Sequence, residues 1–233
     1  MSRYCGLVAL ITGLLLFGSL CPSCDASLGE AKILKQLYRN TEERPGGKDA
    51  AVTVRHGLTL MQIVDYDLDN DRVTIEVWEN YIWNDERLPW NASDFEGVTN
   101  VRISPGSIWV PDIKPYSGWA IRSELTNIVL TNDGQLLWVP RHYFQFPCVL
   151  DEENMIANCS LKMGSWTYDE SDVDLKLQGE IDTSSFFEGP RFKLGKTEAK
   201  RHALKYSCCP ETYVDITYKF QVMFKKPRTL KFP

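Results

Sequence analysis

The segment of this sequence with the most distinctive chemistry is Tyr206-Ser207-Cys208-Cys209-Pro210-Glu211-Thr212-Tyr213. It sets two tyrosines astride a pair of adjacent cysteines. Three further stretches put large rings beside turn-forming residues: Trp83-Asn84-Asp85-Glu86-Arg87-Leu88-Pro89-Trp90, Trp109-Val110-Pro111-Asp112-Ile113-Lys114-Pro115-Tyr116 and Gly164-Ser165-Trp166-Thr167. Ring faces carry negative quadrupole potential. Several brought together receive a bulky, weakly hydrated cation, at ~0.5 to 2 kcal/mol per contact. Rings are also what a β-sandwich packs into its core, and Trp90 and Trp109, beside Pro89 and Pro111, are assigned there.

Other chemistry is sparse. His56, His142 and His202 lie far apart, with no HExxH or CxxC pattern to hold zinc. There is no G-x-S-x-G, P-loop or G-x-G-x-x-G. Asp65, Asp67, Asp69 and Glu76 match ligand positions of an EF-hand loop, but Asn70 replaces the turn glycine and both flanks alternate like strands, so an acidic hairpin turn is expected. A secreted hydrolase would need a carboxylate pair, and nothing in the linear sequence singles one out. Neither catalysis, nor a metal, nor a cofactor is expected. A formal net charge of −5 and a pI of about 5.3 count against nucleic acid as a partner.

Residues 1–26 read as a secretory signal: Arg3 is the positive end, Gly6 to Leu20 the apolar run, and Cys24-Asp25-Ala26 the cleavage region. No later stretch approaches the ~20 apolar residues that cross a bilayer, and the chain closes on Phe232-Pro233 after Lys225-Lys226-Pro227-Arg228. A secreted, soluble product from residue 27 is the expectation. Cys5, Cys21 and Cys24 leave with the signal, and Cys148, Cys159, Cys208 and Cys209 remain for two disulfides with three connectivities. Cys148 and Cys159 enclose an easily closed loop of ten residues. A bridge between the neighbours Cys208 and Cys209 forces a strained ring, whereas pairing each with a distant cysteine straps three stretches together; spacing leaves this open. Sequons at Asn91-Ala92-Ser93 and Asn158-Cys159-Ser160 predict exposed glycan acceptors.

These residues need a rigid frame. Leu28, Ala31, Leu34 and Leu37/Tyr38 predict one amphipathic helix over Ser27–Asn40, and Glu42 to Asp49 a loop. Beyond it the pattern is β. Val52, Val54, Leu58 and Leu60 alternate, as do Val73, Ile75 and Val77, continuing to Tyr81 and Trp83 on the same face. Asn132-Asp133-Gly134 predicts a hairpin between 127–131 and 135–139. Further strands are expected at 156–165, 172–177, 203–208 and 213–224. The fold class is all-β: one domain over 27–233, an immunoglobulin-like sandwich of about ten strands behind a short leading helix.

The ordered set of aromatic motifs, ending in Y-S-C-C-P-E-x-Y, resembles the extracellular ligand-binding domain of the nicotinic branch of the Cys-loop receptors, including the soluble acetylcholine-binding proteins of that family. The resemblance covers nearly the whole chain after residue 26. It implies a homopentamer of sandwiches that binds acetylcholine- or nicotine-like cations between subunits. Tyr116, Trp166, Tyr206 and Tyr213 would form the principal face, with a Cys208–Cys209 disulfide as lid. Trp83, Val129, Leu137 and Val139 would form the complementary face. It further implies Cys148–Cys159 as the Cys-loop, and peptide neurotoxins as further partners. The loop 149–158 is shorter than in the receptors and lacks their F-P-x-D stretch, having Phe146-Pro147 ahead of it instead. That departure favours a soluble binding protein, with the ectodomain of a receptor subunit as the alternative.

Overall fold

The computed structural model describes residues 26–37, 42–47, 50–207 and 209–225. The expected signal therefore lies outside the described residues except for Ala26, where the first helix begins.

That helix, α1 (Ala26–Leu37), buries Ile33 and packs Leu34 and Leu37 against the core, while Leu28 faces solvent. Gly29 allows its close approach: a β-carbon there would stand 2.7 Å from the Phe95 carbonyl of the 3-10 turn Ala92–Phe95. Twelve strands follow among the described residues: β1 (Val52–Asp67), β2 (Arg72–Asn84), β3 (Asn100–Ile103), β4 (Ile113–Pro115), β5 (Trp119–Glu124), β6 (Ile128–Thr131), β7 (Gln135–Trp138), β8 (Arg141–Asp151), β9 (Ile156–Ser165), β10 (Val173–Leu177), β11 (Phe192–Lys205) and β12 (Thr212–Phe224).

Hydrogen bonding orders them β11-β12-β9-β8-β2-β7-β6-β3, with β1 against β2 and β10, β4 against β9 and β5 against β8. Every pairing is antiparallel except β1 with β10. The strands form two layers, and β8 belongs to both: Arg141–Pro147 pairs with β2, Cys148–Asp151 with β9. Alternation explains the core between the layers. Val73, Ile75, Val77, Tyr81 and Trp83 of β2 point inward, and Ile216, Tyr218, Phe220 and Val222 of β12 meet them from the other side. Phe146 packs edge-on against Phe220 across the gap, ring centroids 6.0 Å apart.

The expected hairpin joins β6 to β7, with Gly134 at φ +87 closing the turn through its N–H to the Thr131 carbonyl at 2.9 Å. The expected acidic turn between β1 and β2 falls at 68–71: the Asp67 carboxylate at the end of β1 accepts from the backbone of Asp69 and Asn70, while Glu76 is engaged by Arg141 and Gln62 on β2's other face. Five strands differ from the expectation. β3, β4 and β5 are short or without a buried residue, β8 carries no alternation that marks it, and β11 begins at Phe192 rather than near 203.

The core surrounds a saturated buried carboxylate. Glu79, 2% exposed, accepts from His56 Nε2 at 3.0 Å and Tyr81 Oη at 2.7 Å, and its second oxygen meets His142 Nε2 at 3.1 Å. Burial alone would raise its pKa. The hydrogen bond and charge of His56, with His142 and Tyr81, outweigh that and hold it below its ordinary value.

Candidate ligand-binding site

Strand β9 ends at Ser165, and Trp166 follows where the chain leaves the sheet. Asp112 braces this exit. Its carboxylate accepts from the Ser165 hydroxyl at 2.6 Å and from the Thr167 N–H and hydroxyl at 2.9 and 2.6 Å. Its carbonyl takes the Trp166 N–H at 3.3 Å. The backbone here is satisfied without covering the indole, which stays 69% exposed.

Three more rings converge on it. Tyr116 follows β4, tied by its N–H to the Lys162 carbonyl at 2.8 Å. Tyr206 and Tyr213 stand at the two ends of the β11–β12 connection, ring centroids 5.9 Å apart and tilted by 58°. Tyr116, Trp166, Tyr206 and Tyr213, with Ser165 and Cys209, line one open cleft of about 480 Å³. No carboxylate is among these lining residues, so the negative potential comes from ring faces and carbonyls. Cys209 is disulfide-bonded, and Cys208, its expected partner, lies outside the described residues.

Charge is held behind the rings. Asp215, almost fully buried, accepts from Lys162 Nζ at 2.9 Å and from His202 Nδ1 at 2.8 Å. Lys162 Nζ is 5.4 Å from the Tyr116 ring centroid, so that cation already occupies one side of the ring. Burial, then the charges of Asp215, Tyr206 and Asp112, push the Tyr116 phenol up to about 12, and it stays protonated at neutral pH.

The other expected face is only partly assembled. Val129 and Leu137 are direct partners across β6 and β7, both turned outward, and Ile82 of β2 continues the row. Val139 is half-exposed just beyond β7. Trp83 does not join them. It is 2% exposed and packs edge-on against Trp109 at 6.3 Å, a core position from which no neighbour can be reached. The outward tryptophan of β2 is Trp78, 41% exposed. Its parity was readable: the alternation that puts Trp83 with Val73 and Val77 puts position 78 on the opposite face. Asp112 was also missed as a brace, although it falls inside the quoted Trp109–Tyr116 motif.

Trp90 and Trp109 are buried, as expected for core residues. Cys148 and Cys159 form a disulfide between register partners of β8 and β9, Cα atoms 4.4 Å apart. The sequon residues Asn91 and Asn158 are both exposed; Asn91 caps the 3-10 turn by accepting from the Ser93 N–H, and Asn158 accepts from Gln221 at 3.1 Å.

Comparison with known proteins agrees with this architecture. A family described as "Neurotransmitter-gated ion-channel ligand binding domain" matches residues 30–225. The goldfish (Carassius auratus) neuronal acetylcholine receptor subunit alpha-3 is 34% identical over 209 residues, 85% of this chain and 41% of the relative. The human subunit alpha-4 is 34% identical over 203 residues, 83% of this chain and 32% of the relative. The chicken (Gallus gallus) subunit alpha-2 is 32% identical, covering 83% of this chain and 38% of the relative. The chain thus spans between about a third and two fifths of the length of these relatives. It belongs to the neurotransmitter-gated ion-channel ligand-binding domain family, on the nicotinic side of the Cys-loop receptors.

Proposed function

We propose that this chain captures small organic cations of the acetylcholine and nicotine type and performs no catalysis. The observation that carries the reading is the meeting of Tyr116, Trp166, Tyr206 and Tyr213, from three separate stretches of chain, around one cleft whose lining includes no carboxylate. A quaternary ammonium donates no hydrogen bond and is weakly hydrated, so ring faces compete with water for it better than a single polar group does. The Trp166 carbonyl is the natural acceptor for a protonated secondary or tertiary amine. The cleft is open on one side, and a second copy closes it with the outward row of Trp78, Ile82, Val129, Leu137 and Val139, as one contact of a homopentamer. Peptide neurotoxins that block nicotinic sites bind over the same lid.

Titration of tryptophan fluorescence with acetylcholine and with nicotine tests this, alongside sedimentation of the free protein. Saturable binding by a five-fold particle is expected, and Trp166→Ala weakens it at least tenfold, about 1.4 kcal/mol. A monomer with no saturable response at millimolar ligand overturns the reading.

Two settings suit such a site. The short Cys-loop of ten residues without F-P-x-D supports a secreted soluble binding protein. The relatives, all receptor subunits of greater length, support the ectodomain of a channel subunit. A transcript whose frame continues past Pro233 into apolar runs of ~20 residues decides for the second.

A further inference from the structure

The lid that carries Tyr206 is one end of an edge strand. Among the described strands β11 pairs with β12 alone, so its other edge would be open to solvent. That edge is tied at two neighbouring points. The Ala199 N–H donates to the Glu180 carboxylate at 2.9 Å. Two residues on, Arg201 reaches across to three groups: Nε donates to the Leu175 carbonyl at 2.7 Å, and Nη2 to Glu170 Oε1 at 2.6 Å and Asp174 Oδ1 at 3.1 Å. Beyond Arg201 the packing ends. His202 still bonds Asp215, but Ala203, Leu204, Lys205, Tyr206 and Ser207 are all exposed. Among the described residues Arg201 is therefore the last tie from β11 to a segment other than β12 before the lid begins.

Its partner Glu170 lies in the segment that leaves Trp166. Glu170 also donates its N–H to the Thr212 carbonyl at 2.8 Å, at the opposite stem of the lid. One residue of the Trp166 segment thus holds both stems: Thr212 through its backbone and Arg201 through its carboxylate. Trp166 and Tyr206 are forty positions apart in sequence, so the β9–β12 ladder, which ends with Gly164 opposite Asp215, and this junction bring the two segments together, not chain connectivity.

We propose that the Glu170–Arg201 ion pair is a latch that holds the stems of the lid to the Trp166 segment before ligand arrives, and that both are positioning residues for the cage. This rests on the ligand-binding reading above. Preorganisation lowers the ordering cost of binding, so an intact latch slows ligand release more than it speeds capture.

The test uses the full chain with Glu170→Gln, Arg201→Gln and the double variant. Glu170→Gln keeps the Arg201–Leu175 bond and the Glu170 backbone bond, so it isolates the charge pair. Hydrogen–deuterium exchange of the peptide over residues 203–213, without ligand, should be at least fivefold faster in either single variant. In the double variant it should be no faster than in Arg201→Gln, because a latch is lost only once. Acetylcholine should then bind five- to tenfold more weakly through a raised off-rate, at an unchanged melting temperature. Exchange in Glu170→Gln equal to the parent protein, or effects that add in the double variant, overturns the latch. Exchange is read without ligand, so a protein that loosens as stated yet binds no acetylcholine refutes the ligand reading and leaves the latch standing.

Discussion

The hydroxyl of Tyr116 lies directly over the backbone of Gly164: a β-carbon on Gly164 would stand 2.2 Å from that oxygen and 2.9 Å from the Val214 carbonyl. Glycine here is what lets the ring lie across β9 two residues before Trp166. Gly164→Ala should push the Tyr116 ring out through the open cleft and shift the β9–β12 ladder locally at the Val214 carbonyl. Acetylcholine affinity measured by fluorescence titration should fall at least tenfold, about 1.4 kcal/mol, with the far-ultraviolet circular dichroism unchanged.

The two tryptophans of β2 should separate cleanly. Trp83→Ala empties a core site and should cost about 3 to 5 kcal/mol of unfolding free energy. Trp78→Ala removes an outward ring and should change the urea midpoint little while weakening ligand binding several-fold. Denaturation and titration of both variants check this; a Trp78→Ala protein that binds like the parent removes that ring from the cage.

Acid should weaken the fold in two steps. Burial holds His142 below its ordinary 6.5, with Glu79 partly opposing and Lys114 and His56 adding to the lowering. Between that lowered value and 6.5 the unfolded chain binds a proton the folded one does not, so stability drops as pH falls below about 6.5. Glu79, held below its ordinary 4.5, contributes stability that is complete above that pH and lost as pH falls through its folded value. Urea midpoints from pH 8 to pH 3 should show both steps, and His142→Gln should flatten the upper one.

The bridge between Cys148 and Cys159 closes a loop at the seam of the two layers. Replacing both cysteines by alanine should lower stability by about 2 to 3 kcal/mol through the freed chain entropy of the unfolded state. Calorimetry checks the loss. Ligand affinity should be nearly unchanged, since the cleft is built from other segments.

Strands with one wet face were legible because alternation marks which side is buried: Val73, Ile75 and Val77 announce β2, and Val214, Ile216 and Tyr218 announce β12. β11 was not, since its outward positions carry Lys193, Lys196, Glu198 and Lys200, Arg201 puts a charge on the other face, and its register shifts between Leu194 and Thr197. β5 shows no buried position at all, so Trp119-Ala120-Ile121-Arg122 has no period to read. In the cleft, single-residue rings were readable from motif context. The braces Asp112 and Glu170 were not, because a carboxylate's partners thirty or more positions away leave no local pattern. Trp83 was misassigned although its own alternation placed it inside.

Strand β8 passes from one layer to the other without a break, its first seven residues paired to β2 and its last four to β9. A single continuous ribbon is thus stitched into both leaves of the sandwich. The leaves cannot shear apart or melt one at a time without that thread being torn from one of its neighbours. Mechanical load applied at either pole is therefore shared by the whole body and surrenders in one event.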